Sequence, residues 1–301
     1  MKSILTVIFA CTVSAISTLT YATISEATTS EATASEQSKK LTIATAIPVV
    51  ASMLEELTQQ TQITVLYVPP NKYSVKRIPG WLKRQTVEVY PSADIVASIS
   101  SVWSDIDIYP ALRSKNIAII PVDLANALIP GGERVAITKL DDGSIGYFWL
   151  NPSNIQMMLG ILHRDLQAIL THKHYEDKEQ LRLNFAQMSA QLRKQQLELN
   201  QHLIDGMFMN IVVDKPELID LGAITLVPLA SREQAIKDEL PTLLITSKKP
   251  FHRSLQNLPQ NIEVWHVDDF SKYSKGSLTQ RWQSMLNKLA KINASTQLQV
   301  K

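Results

Sequence analysis

From Glu176 to Ile204 the chain runs without glycine or proline, and Leu181, Phe185, Met188, Leu192, Leu199 and Leu203 recur at intervals of 4, 3, 4, 7 and 4. With 3.6 residues per turn, that spacing keeps one apolar stripe on one face of a helix. A single amphipathic helix of about 29 residues follows, roughly 43 Å long at 1.5 Å per residue. A coiled coil is the alternative, but the stretch holds fewer than four clean heptads. Gln195 and Gln196 interrupt the stripe halfway, where such a helix leaves one body and meets another.

Strand-length apolar runs lie on both sides of this helix. Before it come Leu41–Ala46, Ile63–Val68, Ala93–Ser98 and Ile117–Val122; after it come Asn210–Val213, Ala223–Val227, Thr242–Thr246 and Ile262–Val267. They are rich in Ile, Val and Thr and nearly continuous, as in parallel strands covered on both faces. Helical patterns fall between them at Pro48–Gln60, Pro79–Gln85, Asn154–Leu170, Glu233–Leu240 and Ser277–Ile292. Alternating strands and helices predict α/β: two lobes, each a mostly parallel sheet flanked by helices, linked by a single long backbone helix.

The 301 residues are 45% hydrophobic and carry a formal charge of +2, which excludes disorder over the whole chain and argues against a dedicated nucleic-acid binder. With nine glycines and neither GxGxxG nor GxxxxGK[ST], the common nucleotide-binding loops are missing. No HExxH or GxSxG is present, Glu55-Glu56 point apart on a helix, and Asp141-Asp142-Gly143 reads as a turn. Catalysis has no residues to carry it, so the chain is read as a non-enzyme.

Residues 1–22 combine Lys2, an apolar run from Ile4 to Ile16 and small residues ending at Ala22, the layout of a secretory signal peptide. Ile8-Phe9-Ala10-Cys11 is similar to a lipoprotein box, but ten residues make too short a signal. Cys11 is the sole cysteine, so removal of the signal leaves no disulfide and no thiolate ligand. Residues 23–40 repeat Ser-Glu-Ala-Thr and read as a flexible spacer. The expected organisation is signal 1–22, spacer 23–40, a first lobe 41–175, a linking helix 176–205 and a second lobe 206–301.

In this order the segments resemble the periplasmic solute-binding proteins of zinc and manganese ABC transporters, the group with two lobes joined by one backbone helix. Leu41-Thr-Ile-Ala-Thr-Ala-Ile-Pro-Val-Val50 is similar to that family's opening strand and helix, and Ala93-Asp94-Ile95-Val96 to its alanine–aspartate strand. Tyr147-Phe-Trp-Leu-Asn-Pro152 is similar to its His-x-Trp-Leu-Asp/Ser-Pro signature, and the Tyr175/Asn184 spacing also fits. Val264-Trp-His-Val-Asp268-Asp-Phe270 sits where the family has a strand ending in Asp-Pro-Leu. The resemblance implies an exported, periplasmic, monomeric protein that hands a metal to an ABC permease in the inner membrane.

The family's ligand set, His and carboxylates from both lobes, is not retained. The first His position falls at Asn71 or Val75, in the loop that also holds Tyr73, and no His occurs between Leu41 and Leu162. Tyr147 replaces the second His, and a neutral phenol is a poor zinc ligand. Asp214 is nearest to the third position and Asp268 to the fourth, a metal-ligating carboxylate. His266 lies two residues from Asp268 on one strand face, so the two form the best remaining donor pair, with a structural hydrogen bond as the blander and favoured reading.

Other histidines have blander readings: His172 and His174 as exposed loop residues, His163 and His202 as structural ones. Lys72, Lys76, Arg77, Lys83 and Arg84 make the entrance basic, which is either a solvated face or an anion-attracting one. Among the nearby aromatics, Trp103 and Trp149 read as core. The resulting expectation is a solute-binding protein with Asn71, Tyr73, Tyr147, Asp214, His266 and Asp268 at its site. Its cargo is weakly held zinc or manganese, a metal chelate or another small solute. The alternative is a non-transporting relative that works through protein contact. A cleft with converging polar groups favours the first reading; one filled by Trp81, Tyr90 or Tyr147 favours the second.

Overall fold

The structure, a computed structural model, describes residues 40–299. The signal and spacer segments expected over 1–40 lie almost wholly outside the described residues. In the first lobe β1 (Thr42–Thr45), β2 (Thr64–Tyr67), β3 (Ile95–Ser98) and β4 (Ile120–Asp123) form a parallel sheet in the order β2-β1-β3-β4. In the second, β5 (Asn210–Val213), β6 (Thr242–Thr246) and β7 (Ile262–His266) form a parallel sheet in that order. All residues of β3 and β6 are buried, as their unbroken apolar runs require.

The helices are α1 (Pro48–Leu57), α2 (Ile78–Leu82), α3 (Tyr109–Lys115), α4 (Pro152–His172), α5 (Lys178–Asp205), α6 (Ile219–Ala223), α7 (Arg232–Asp238) and α8 (Leu278–Gln299). Asn151 caps α4 by accepting from Ser153 N at 2.9 Å, with Pro152 at the first helical position. The long linking helix is α5, with 28 residues. It packs along α4, α8 and α1, so its stripe is a core face rather than a coiled-coil seam. Asn184 of α5 donates to Leu57 O and Gln59 O at 2.8 and 2.7 Å, tying it to the end of α1.

The break in the stripe at Gln195 has a tertiary cause. This residue is 3% exposed and donates its amide to Thr279 O at 2.7 Å, so a polar side chain meets backbone at the start of α8. The helix itself runs through unbroken. α8 in turn packs on both α1 and β7.

One expected strand is absent. Residues 223–227 leave the short α6 and enter an irregular turn in which Leu226 has φ +59° and is 95% exposed. Thr225 Oγ1 donates to Gly222 O at 2.8 Å, a local bond that competes with a ladder, and Pro228 brings no N–H. Only Leu229 forms a bridge, to Ile211. The strand expected from Ile117 begins instead at Ile120. Asn116 accepts from Ala118 N at 3.0 Å and turns the chain there, leaving Ile117 77% exposed.

Candidate functional site

The register of the second sheet aligns its strand ends. Val213 pairs with Ile245 and Thr246 with His266, so the residues that follow, Asp214, Ser247 and Val267, reach one rim. In open parallel sheets this carboxyl edge is where ligands bind. A cavity of about 680 Å³ opens there, bounded by Asp214–Glu217, Ser247, Val267–Asp269, Ser271 and Lys272, with Ser74, Lys76 and Tyr147 contributed by the first lobe. The first-lobe loop is held over it by backbone bonds, Val75 N donating to Ser271 O at 2.7 Å and Ser74 bridging Lys272. Tyr147 N donates to Glu217 O at 2.8 Å from the other side.

Most of the charge in this cavity is already committed. Asp214 accepts from Lys248 Nζ and Thr246 Oγ1, both at 2.8 Å. Asp268 takes a two-pronged pair from Arg281, Nε at 2.8 Å and an Nη at 2.9 Å, and accepts from Phe270 N at 3.0 Å. Glu217 pairs with Lys76 across the lobes. Asp269 is the exception: among the described residues it accepts only Ser271 N, at 3.0 Å, and makes no ion pair. Lys215 donates to Ser247 Oγ at 2.9 Å, and among the described residues neither it nor Lys272 has an acidic partner.

One lining residue, Tyr147, belongs to an aromatic stack. Trp149 lies 4.9 Å from Tyr147 and 6.3 Å from Trp103, ring centre to ring centre, with Phe148 edge-on at 5.2 Å. Its Nε1 donates to Asp269 O at 3.0 Å, which fixes the turn carrying the uncommitted carboxylate. Burial pushes the Tyr147 phenol well above its ordinary pKa, and the charge of Asp269 adds to that against a hydrogen bond with Ser271. Tyr147 therefore stays a protonated hydrogen-bonding group at neutral pH.

The residues expected at the site separate. Tyr147, Asp214 and Asp268 line the cavity, the two acids with cation partners. Asn71 and Tyr73 lie outside its lining; Asn71 is exposed and Tyr73 packs between Lys72 and Arg77, at 5.8 and 4.9 Å from its ring centre. His266 also lies outside the lining. Its Nδ1 is 3.0 Å from Lys248 O, so it does not share a partner with Asp268. Glu217, Lys215, Lys272 and Asp269 were not singled out from the sequence. In the sequence the adjacent acids after β7 mark Asp269, one position beyond Asp268.

Elsewhere, His163 stacks on Phe185 at 4.0 Å, while His172 and His174 are exposed at the end of α4. Among the described residues there is no group of three or more His, Cys, Asp or Glu side chains able to hold a metal ion. Nor, among them, is any helix long and apolar enough to cross a membrane.

Beside the cavity, Asp220 of α6 is 6% exposed and meets the 138–146 segment. Its Oδ1 accepts from Thr138 Oγ1 at 2.8 Å, its Oδ2 has no partner among the described residues, and a Cβ at Gly146 would come within 2.4 Å of that oxygen. Burial raises its pKa above 3.8, outweighing the Thr138 bond. The native state thus holds this proton more tightly than the unfolded chain, and stability falls as pH rises from about 4 through the raised value. Asp220→Asn is expected to be more stable than wild type at pH 7 and to flatten that part of the slope. Urea denaturation of both proteins between pH 4 and 7 checks it, and parallel slopes would refute it.

No protein-family model matches the chain, and no curated protein matches it. Solved structures do. The solute-binding protein FpvC from Pseudomonas aeruginosa, solved with Mn2+, is similar with a TM-score of 0.61 at 12% identity, over 87% of this chain and 100% of that one. A Cd-bound periplasmic metal binding protein from Candidatus Liberibacter asiaticus gives 0.61 at 10% identity, over 84% and 100%. The Zn(II)-bound ZnuA-like domain of Streptococcus pneumoniae AdcA gives 0.56 at 13% identity, over 84% and 99%. At such identities the likeness is one of fold: this chain has the two-lobe α/β fold of metal-binding solute-binding proteins.

Proposed function

We propose that this protein is the exported solute-binding component of an ABC-type uptake system. It works in the periplasm as a monomer, holds a small polar solute between its lobes and presents it to an inner-membrane permease, with no covalent chemistry of its own. The observation that carries this reading is the polar cavity at the aligned strand ends, walled by both lobes. Tyr147 borders the cavity without filling it, and Trp81 and Tyr90 are buried elsewhere at 8% and 6% exposure. That arrangement favours solute capture over action through protein contact alone. Bare zinc or manganese as cargo would compete with an ammonium or guanidinium already seated on three of the four lining carboxylates. Zinc sites take four N, S or O donors. A metal therefore fits better as a weakly held ion or inside a chelate that brings its own donors.

The test is thermal unfolding of the exported protein against zinc chloride, manganese chloride, metal–carboxylate complexes, amino acids and organic acids. A solute at 100 times its Kd that binds only the native state adds about 2.7 kcal/mol, a shift of several degrees. At least one solute class is expected to produce it. If none does, the capture reading falls and the contact reading takes its place.

A further inference from the structure

The uncommitted charges of the cavity describe the solute it fits, given that it binds a solute at all. Three lining carboxylates are neutralised from within the protein, which leaves two ammonium groups, Lys215 and Lys272, and one carboxylate, Asp269. The free charge is therefore two positive against one negative. Neutral donors surround it: the Ser247 hydroxyl, which already accepts from Lys215, and the Tyr147 phenol beside Asp269. A bare divalent cation meets one open carboxylate and two repelling lysines. A small acid meets the reverse, with room to spare in about 680 Å³.

We propose that the cavity takes a small amino- or hydroxy-polycarboxylate of net negative charge, its acid groups held by Lys215 and Lys272 and its amine or hydroxyl donating to Asp269. Charge-assisted bonds of this kind are about twice as strong as neutral ones and give orientation as well as affinity. Carboxylates come from the solute, so the lobe needs no histidine. An amine and a hydroxyl both satisfy Asp269, and the two probe acids below tell them apart.

Isothermal titration of the exported protein with L-glutamate and with L-2-hydroxyglutarate, which have the same carbon skeleton and carboxylates and differ in amine against hydroxyl, tests this, with zinc chloride and manganese chloride as separate titrants. At least one acid is expected to bind, more weakly as salt is raised, and the tighter of the two reports whether Asp269 receives an amine or a hydroxyl. Lys215→Met and Asp269→Asn should each weaken that acid about tenfold or more, as loss of about 1.4 kcal/mol implies. Unfolding midpoints without ligand serve as the control. Lys215 makes no ion pair among the described residues, so Lys215→Met should leave its midpoint near wild type. If either metal alone binds and Lys215→Met leaves or tightens that binding, the inference is overturned while the capture reading stands. If neither acid binds but another solute of the thermal panel does, the result is the same. If nothing binds, both fall.

Discussion

Trp149→Ala is expected to lower the unfolding free energy by about 3–5 kcal/mol, the cost of removing a large aromatic from a closed core. The ring is 0% exposed and joins Tyr147, Phe148 and Trp103 into one stack, so truncation leaves a cavity its neighbours fill poorly. It also strands Asp269 O, which accepts the indole N–H at 3.0 Å. Trp149→Phe keeps part of the packing and loses the donor, so it should fall between the two. Urea denaturation gives both values, and a loss under about 1 kcal/mol in Trp149→Ala would show that the stack is not a structural joint. Because Trp149 positions the turn bearing Asp269, solute affinity should drop in Trp149→Phe even where the fold survives.

Arg281→Met carries the second large effect. The Arg281 side chain is 9% exposed, grips Asp268 with two nitrogens, donates to Ser52 Oγ of α1 at 2.8 Å and lies 4.2 Å from the Phe270 ring centre. Breaking a buried pair from one side costs about 3–5 kcal/mol, but Asp268 is 38% exposed and regains water. About 2–3 kcal/mol is therefore expected. Arg281→Lys should recover only part of it, since an ammonium lacks the planar fork that puts two nitrogens on Asp268 and a third on Ser52. Asp268→Asn in the Arg281→Met background should restore stability if the stranded charge is the cause; a purely additive loss would rule that out. The same single variant frees a second carboxylate beside Asp269, so affinity for zinc or manganese is expected to rise as stability falls.

The resemblance stated from sequence placed Tyr147 and the acid after β7 at a site between two lobes, and the cavity has both in its lining. It also offered Asn71, Tyr73 and His266, which lie outside that lining. What separates the two groups is the partner that each side chain meets in the fold. Tyr73 points toward its own basic neighbours, and His266 meets a carbonyl from β6's following loop. The false strand at 223–227 has a similar origin: its apolar composition is that of a strand, and one threonine bond, a proline and an exposed left-handed leucine decide otherwise.

By itself the sequence determined the alternation of strands and helices, the length of α5 and the burial of its stripe. Those are periodic, short-range properties of the chain, read within a few residues of where they act. Only the tertiary structure decided which acids of the cavity remain free. Lys248 reaches Asp214 over 34 residues and Lys76 reaches Glu217 over 141, while Arg281 reaches back 13 residues to Asp268. Whether a carboxylate is neutralised depends on which cation lies within about 4 Å of it, and that distance is set by packing between segments far apart in the chain.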